Sequence, residues 1–457
     1  MFDVRGKKVL VVGLGVSGYA AAELLGRRGA AVKITESSDT IEIRERLEEL
    51  CQYSVEFELG GHTEGFCGDA ALVVTSPGID NGSLPLAVAG NRGIPVIGEL
   101  ELGFLFCRAP IIAITGTNGK STTTELIGRI LSLSGRHTAL CGNIGNPLSG
   151  EVDFLTGESV AVVEVSSFQL ETIKDFRPHI AALLNISEDH YERHANYDNY
   201  RAEKFKIFRN QSGDDWAVLH SDLAGAAFSG SGDSGRALIE RIKSRLLFFG
   251  AETAEAAAGR DGVSVDLFGK KDIIVRSGEI PLKGAHNLDN IACAALVSRI
   301  MGVNNRLIRE GIRNFRGLDH RFERIGDFDG VEFIDDSKAT NIDATRRALE
   351  SINKRVVLIA GGRDKGGDYL SVLPLVKEKV KILVLIGESR EGIKGVFSHA
   401  VPVLAAESMA EAVNMASASA EEGEAVMLSP MCSSFDMFSG YKERGEVFQS
   451  EVRKLKG

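Results

Sequence analysis

Long apolar runs are missing from this chain of 457 residues. No segment reaches the roughly 18 unbroken apolar residues that a membrane helix needs, so no membrane insertion is expected. The opening "MFDVRGKKVLVVGLG" places a basic pair before an apolar run. That run is too short and too broken by glycine for a secretory signal, and it is expected to form a buried strand. Basic blocks are missing too: 53 Lys and Arg stand against 63 Asp and Glu, a net charge of −10. The two signs are dispersed, which argues against nucleic acid as a partner. The six cysteines (Cys51, Cys67, Cys107, Cys141, Cys293 and Cys432) include no C-x-x-C pair. Neither a disulfide framework nor structural zinc is expected, and a reducing cytoplasm suits the chain. No repeat of solenoid period occurs.

What is present is ordinary globular composition, 44% hydrophobic and 25% charged, on a chain too long for one core. Three α/β domains are expected, at 1–98, 99–317 and 318–457. The first is Rossmann-like: "KKVLVVG", "AAVKITE", "ALVVTS" and "PVIG" alternate with amphipathic segments, the pattern of a parallel sheet covered by helices. The second restarts at "PIIAITG" and runs through "VAVVEVS" and "HIAALLNIS", whose nearly continuous apolar character marks central strands. "WAVLHSD", "RLLFFG", "VSVDLFG" and "DIIVRSG" are expected to add a small side sheet to this P-loop-type ATPase domain. The third, again Rossmann-like, has "RVVLIAGG", "KILVLIGES" and "EAVMLSP" as strands and a last helix from about Phe435 to Lys454.

Two glycine turns carry the first chemistry. "VVGLGVSG" sets Gly13, Gly15 and Gly18 between a strand and a helix, with Glu36 ending the next strand. Glycines let the backbone approach a diphosphate, and the helix start supplies amides and a favourable dipole. Any nucleotide diphosphate meets that demand, NAD included. "ITGTNGKST" offers Gly116, Thr117, Asn118, Gly119, Lys120, Ser121 and Thr122. It departs from G-x-x-x-x-G-K-[ST] only in the place of its first glycine, and ATP or GTP is the expected ligand. Glu164 ends a buried apolar strand, so a cation or a basic side chain is expected beside it. Glu188, Asp189 and His190 end another strand, where open α/β sheets bind ligands. Lys204 and Lys206 in "YRAEKFKIF" read as solvated lysines.

Farther on, Asn287 and Asn290 in "GAHNLDN" suit either hydrogen bonding to a base or capping of a helix. "DHRFE" contributes His320 and Arg321, and "DDSKATN" contributes Asp336, Lys338, Thr340 and Asn341. Lys365 in "GGRDKGGD" and Ser434 in "SPMCSSFDMF" also follow apolar strands and are candidates for an anionic small molecule.

Taken in order, "GTNGKST", "EVSSFQLE", "NISEDH", His286 to Asn290, "HRFE", "DDSKATN" and Ser429 to Phe438 resemble the Mur ligase family over nearly the whole chain. "SSFQLE" with "DSKATN" favours the branch that adds D-glutamate. The resemblance implies that the first domain holds the UDP part of UDP-N-acetylmuramoyl-L-alanine rather than NAD, with Val16, Ser17, Glu36 and Ser37 at matching positions and Asn143 on the muramoyl substrate. Gly116 to Thr122 would hold ATP. Ser121 and Glu164 would ligate one Mg²⁺ and His190 a second, while Asn290, Arg321 and Asp336 would contact adenosine or order the closed site. Lys338, Thr340, Lys365, Ser434 and Tyr441 would surround D-glutamate. Lys204 matches the lysine that the family carries as a carbamate, which replaces a repelled ammonium with an anionic oxygen ligand beside the metal. Lys120, His190 and Lys204 are the implied catalytic residues. The implied reaction is ATP-driven amide formation through an acyl phosphate, by a cytoplasmic monomer. The rivals are a sibling ligase or a folylpolyglutamate synthetase, an NAD-dependent oxidoreductase, and a regulatory nucleotide-binding module.

Overall fold

The computed structural model describes residues 2–187, 196–224, 234–267, 269–282 and 284–455. Three α/β domains with largely parallel sheets account for its strands. The first sheet comprises β1 (Lys8–Val12), β2 (Ala31–Glu36), β3 (Val55–Leu59), β4 (Leu72–Thr75) and β5 (Val96–Gly98) in the order β3-β2-β1-β4-β5. Every pair in it is parallel. The chain steps outward from β1 to β3, then returns to the other side of β1 with β4, creating a switch point at the carboxyl end of β1. Open α/β sheets bind ligands at such a crevice.

The second sheet contains β6 (Ile111–Thr115), β7 (Thr138–Gly142), β8 (Val160–Glu164), β9 (Ile180–Leu183), β10 (Trp216–His220), β11 (Arg245–Gly250), β12 (Ala256–Gly259), β13 (Gly262–Leu267) and β14 (Lys270–Arg276). Its order is β14-β13-β12-β11-β10-β9-β6-β8-β7. The expected side sheet is corrected in this detail. β10 pairs in parallel with β9 through Trp216 to Leu219, so it extends the main sheet. Only β12 to β14 run antiparallel, as the sheet's edge. β6, β8 and β9 are buried along their whole length, because helices cover both faces of a parallel sheet and leave no polar side.

The third sheet has β15 (Glu323–Phe328), β16 (Val331–Asp335), β17 (Val356–Gly361), β18 (Val380–Ile386), β19 (Val403–Ala405) and β20 (Ala425–Leu428), in the order β15-β16-β20-β17-β18-β19. Alternation along β17 divides its core: Leu358 and Ala360 face one cluster with Leu349 and Phe397, while Val357 and Ile359 face another with Met409 and Phe448. The period of two in a strand dictates this split. β20, last in sequence, inserts between β16 and β17, so the loops that follow all three emerge side by side.

The last helix is Tyr441–Lys454, starting later than the expected Phe435. Ser439 N and Oγ both donate to Glu443 Oε2, at 2.6 and 2.7 Å, and this contact fixes where the helix begins. By packing, the chain falls into two compact units: Met1–Asn185, Arg201–Ser277 and Ile291–Ile312 in one, Ile186–Tyr200, Gly278–Asn290 and Arg313–Gly457 in the other. The first two sheets lie in the first unit and the third in the second.

Candidate active site

β6 delivers the chain into the turn Gly116–Gly119, and the helix Lys120–Leu133 leaves it. Gly119 has φ +85°, a left-handed conformation that a residue with Cβ adopts only at a cost. At Gly116, an added Cβ would meet Leu184 Cβ at 3.0 Å and Asn185 N at 3.3 Å. Asn185 staples the turn: its carbonyl accepts from Thr117 N at 3.0 Å, its Oδ1 from Asn118 N at 2.9 Å, and its Nδ2 donates to Asn118 O at 3.0 Å. Lys120 Nζ curls back over the loop to donate to Gly116 O (2.8 Å) and Thr117 O (2.7 Å). Ser121 and Thr122 are buried in the first helical turn. A preformed glycine turn, a cation and a hydroxyl at a helix start make a triphosphate cradle.

Glu164 lies at the end of β8, registered against Ile114 of β6, and is 2% exposed. Its Oε1 accepts from Asn143 Nδ2 at 2.8 Å, and Asn143 N donates to Glu164 O at 2.8 Å. Oε2 is buried with no hydrogen-bond partner, and no basic side chain pairs with this carboxylate among the described residues. Burial raises the Glu125 carboxyl, and the Glu164 charge raises it further, although Glu125 sits one helical turn beyond Ser121. A buried anionic oxygen with no partner beside a phosphate loop fits a divalent cation.

Lys204, near the end of the helix Tyr197–Phe205, is only 1% exposed and donates to Gly116 O at 2.9 Å. The solvated reading is therefore wrong for Lys204. Lys206, in the 3-10 turn that follows, pairs with Glu203 at 2.6 Å, as a surface lysine does. His190, with Glu188 and Asp189, lies outside the described residues.

At the first glycine turn, Gly18 packs so closely that an added Cβ would stand 1.8 Å from Gly13 O. Val16 is 60% exposed at the start of the helix Val16–Arg27. Glu36 Oε2 accepts from Leu14 N at 2.7 Å, and Oε1 accepts from Ser38 N at 2.9 Å and Ser37 Oγ at 3.1 Å. Burial alone would raise this carboxyl, but these donors hold it below its ordinary range. The structure thus brings Glu36 and Ser37 to the turn that leads into Val16 and Ser17.

In the second unit, Lys338 Nζ stands 3.8 Å from the Tyr441 ring centroid, a cation–π contact. Thr340 N donates to Lys338 O at 2.8 Å. The loops carrying Lys365 and Ser434 run together: Arg363 N donates to Ser433 O at 2.9 Å, Ser433 N to Arg363 O at 3.0 Å, and Ser433 Oγ to the same oxygen at 3.0 Å. Ser434 is buried. Asp336 Oδ1 accepts from Phe322 N at 3.1 Å and Oδ2 from Ser429 Oγ at 2.9 Å. Burial nevertheless pushes the Asp336 carboxyl up to about 7.

His320, at φ +62°, presents its neighbour Arg321 from a turn built around a hub. Gln449 Nε2 donates to Glu323 Oε2 (3.0 Å) and Asp335 Oδ2 (2.9 Å), and His320 Nδ1 lies 2.7 Å from the same Asp335 oxygen. Arg453 donates to Gln449 Oε1 at 2.8 Å and thereby fixes the amide's orientation. These three metal-type side chains therefore surround an N–H donor and make a poor metal site. Asn290 is buried, and its Nδ2 lies 3.5 Å from Asn287 Oδ1. Sequence reasoning gave no role to Asn185, Gln449 or Arg444; each acts through partners distant in sequence.

Fold and site define a phosphate-loop enzyme with three α/β domains and a buried carboxylate, one oxygen of which has no hydrogen-bond partner, at the strand beside the loop. Sequence profiles give the particular class: the Mur ligase MurD-like N-terminal domain matches residues 7–98, the Mur ligase middle domain 114–298, and the Mur ligase glutamate ligase domain 320–432. The chain belongs to the Mur ligase family. It is 42% identical to the UDP-N-acetylmuramoylalanine–D-glutamate ligase of Pelotomaculum thermopropionicum, covering 99% of each chain. It is likewise 42% identical to that of Desulfosudis oleivorans, over 99% of this chain and 98% of the relative. Among solved structures, the UDP-N-acetylmuramate-alanine ligase MurC of Thermotoga maritima superposes with a TM-score of 0.61 at 18% identity, covering 98% of this chain and all of that one. At that identity the likeness concerns the fold.

Proposed function

We propose that the protein is an ATP-dependent ligase that joins D-glutamate to UDP-N-acetylmuramoyl-L-alanine, a step of peptidoglycan precursor synthesis. Its full-length identity to ligases of that name supports the substrates. The geometric observation that carries the chemistry is the orphaned Oε2 of Glu164 beside the Gly116–Ser121 loop. No helix among the described residues is long and apolar enough to cross a membrane; action in the cytoplasm, as a monomer, is part of the same reading and rests on the family resemblance. Three domains divide the work, residues 1–98 holding the sugar nucleotide, 99–317 ATP, and 318–457 the amino acid.

A carboxylate resists attack by an amine because oxide is a poor leaving group. The loop amides and Lys120 hold the triphosphate and offset the charge that develops as the substrate carboxylate oxygen attacks the γ-phosphorus. An O–P bond forms, the β,γ-bridging bond breaks, and ADP leaves. The D-glutamate ammonium first releases one proton to give the free amine, whose nitrogen then attacks the acyl carbon; phosphate departs with the electrons of the C–O bond and takes up the second proton that the nitrogen loses as the amide forms. Ser121, Glu164 and His190 would hold Mg²⁺, two ions in all, with a carbamate on Lys204 as a further oxygen ligand. The metal supplies charge neutralisation at the phosphates when bound. Asn143 orients Glu164 from one side and contacts the muramoyl substrate from the other. Val16, Ser17, Glu36 and Ser37 bind the UDP group; Asn290, Arg321 and Asp336 attend the adenosine; Lys338, Thr340, Lys365, Ser434 and Tyr441 receive D-glutamate. Phosphate release in the presence of ATP, Mg²⁺ and the sugar nucleotide tests the substrate reading. D-glutamate should stimulate it and L-glutamate should not; equal stimulation by both would contradict the assignment.

A further inference from the structure

Arg444, in the first turn of the helix Tyr441–Lys454, is among the largest fully buried side chains of the protein, at 1% exposure. Burial lowers its pKa to about 10, so it keeps its charge at neutral pH. It pairs with no carboxylate among the described residues. Its guanidinium makes five hydrogen bonds to four oxygens instead. Nε donates to Ser337 Oγ (3.0 Å), Nη2 to Ser337 O (2.8 Å) and Cys432 O (3.2 Å), and Nη1 to Cys432 O (3.2 Å) and Ser433 O (3.3 Å). Ser337 Oγ in turn donates to Tyr441 O at 2.8 Å. The loop after β17 closes on the same group: a Cβ at Gly362 would lie 3.2 Å from Arg444 Nη1.

Asp436, Asp335 and Asp336 favour the charge from a distance, but burial outweighs them; a buried cation with no carboxylate in contact is costly, and a fold retains one where fixed geometry repays that cost. Here the fork ties together the loops that follow β16 and β20, which come from residues far apart in sequence. We propose that Arg444 is a positioning residue for the amino-acid substrate. Two of the three residues it holds adjoin a residue assigned to D-glutamate, Ser337 preceding Lys338 and Ser433 preceding Ser434, the third, Cys432, lies two residues before Ser434, and Ser337 Oγ carries the contact on to Tyr441. Lysine cannot replace it, because a point charge on a flexible stem lacks the planar fork that reaches both loops. This inference rests on the D-glutamate reading of the second unit.

The test is steady-state kinetics of Arg444→Lys and Arg444→Gln in the full-length enzyme, with each of the three substrates varied. The KM for D-glutamate should rise roughly tenfold or more, the scale of a lost charged hydrogen bond, while those for ATP and the sugar nucleotide stay within about twofold. Lysine should restore little, since the charge without the fork is not enough. A D-glutamate KM within about twofold of wild type in both variants overturns the proposal. So does a parallel rise of all three constants with a fallen Tm, the mark of a structural role only. If neither variant folds, Ser337→Ala carries the test: a D-glutamate KM raised roughly threefold supports the proposal, and an unchanged one overturns it. A wild-type enzyme that ignores D-glutamate sinks the underlying reading instead, and the two failures are distinguishable.

Discussion

Two glycine turns, Gly13–Gly18 and Gly116–Gly119, share one design: a buried parallel strand, a close-packed glycine, and a helix that starts at the turn. They differ in what surrounds them. At the first, an anion is already built in, because Glu36 accepts the Leu14 amide at 2.7 Å. At the second, two lysine side chains and a hydroxyl converge: Lys120 and Lys204 both reach Gly116 O, and Ser121 lies in the first turn of the helix. Glycine spacing therefore reports that a backbone can approach phosphate. The flanking side chains decide whether the site merely holds a nucleotide or does chemistry on one.

That contrast breaks most readily at Lys120. Lys120→Ala should lower ADP release by roughly a thousandfold, since a fixed charge on the transferring group is lost. A variant that retained a tenth of wild-type turnover would make the two turns equivalent. Lys204→Ala comes next, with a loss of roughly a hundredfold, partly restored by short carboxylic acids that reoccupy the carbamate's place. Wild-type turnover in this variant would refute the carbamate. At the first turn, Glu36→Gln should leave kcat within about twofold and raise the KM for the sugar nucleotide roughly tenfold. A fall in kcat alone would assign Glu36 to chemistry.

The smallest effect concerns stability and belongs to the second unit. Burial holds the Asp336 carboxyl at about 7, above its ordinary 3.8, so the folded protein keeps a proton that the unfolded chain releases. That contribution is complete below about pH 4 and is lost as pH rises through 7. Asp336→Asn should lose less stability than wild type across that interval, by on the order of 1–3 kcal/mol in urea unfolding. Parallel profiles for the two proteins would contradict the protonated carboxyl.

Much of this was legible in the sequence because it depends on local pattern. Continuous apolar runs marked β6, β8 and β9, and glycine with lysine and serine at a strand–helix junction marked the phosphate loop. What escaped depends on partners far along the chain. Glu101 reads as one acid in a short helix, yet it is buried and accepts the N–H groups of Lys174, Asp175 and Phe176. Lys204 looked solvated because its helix is polar overall, whereas its side chain is buried and reaches Gly116 O in another element. β3 was missed because it lies at the sheet's edge with two residues exposed, so its apolar signal is weak. The start of the last helix was misplaced because a contact between Ser439 and Glu443, not hydrophobic period, sets it.

The central claim is that the second turn energises a carboxylate by phosphorylating it. Sugar-nucleotide substrate labelled with ¹⁸O in its terminal carboxylate tests this directly, with ATP, Mg²⁺ and D-glutamate present and the released phosphate read by mass spectrometry. The account predicts one labelled oxygen in each phosphate formed alongside the amide. Unlabelled phosphate, or no ADP and no coupled product, would contradict it.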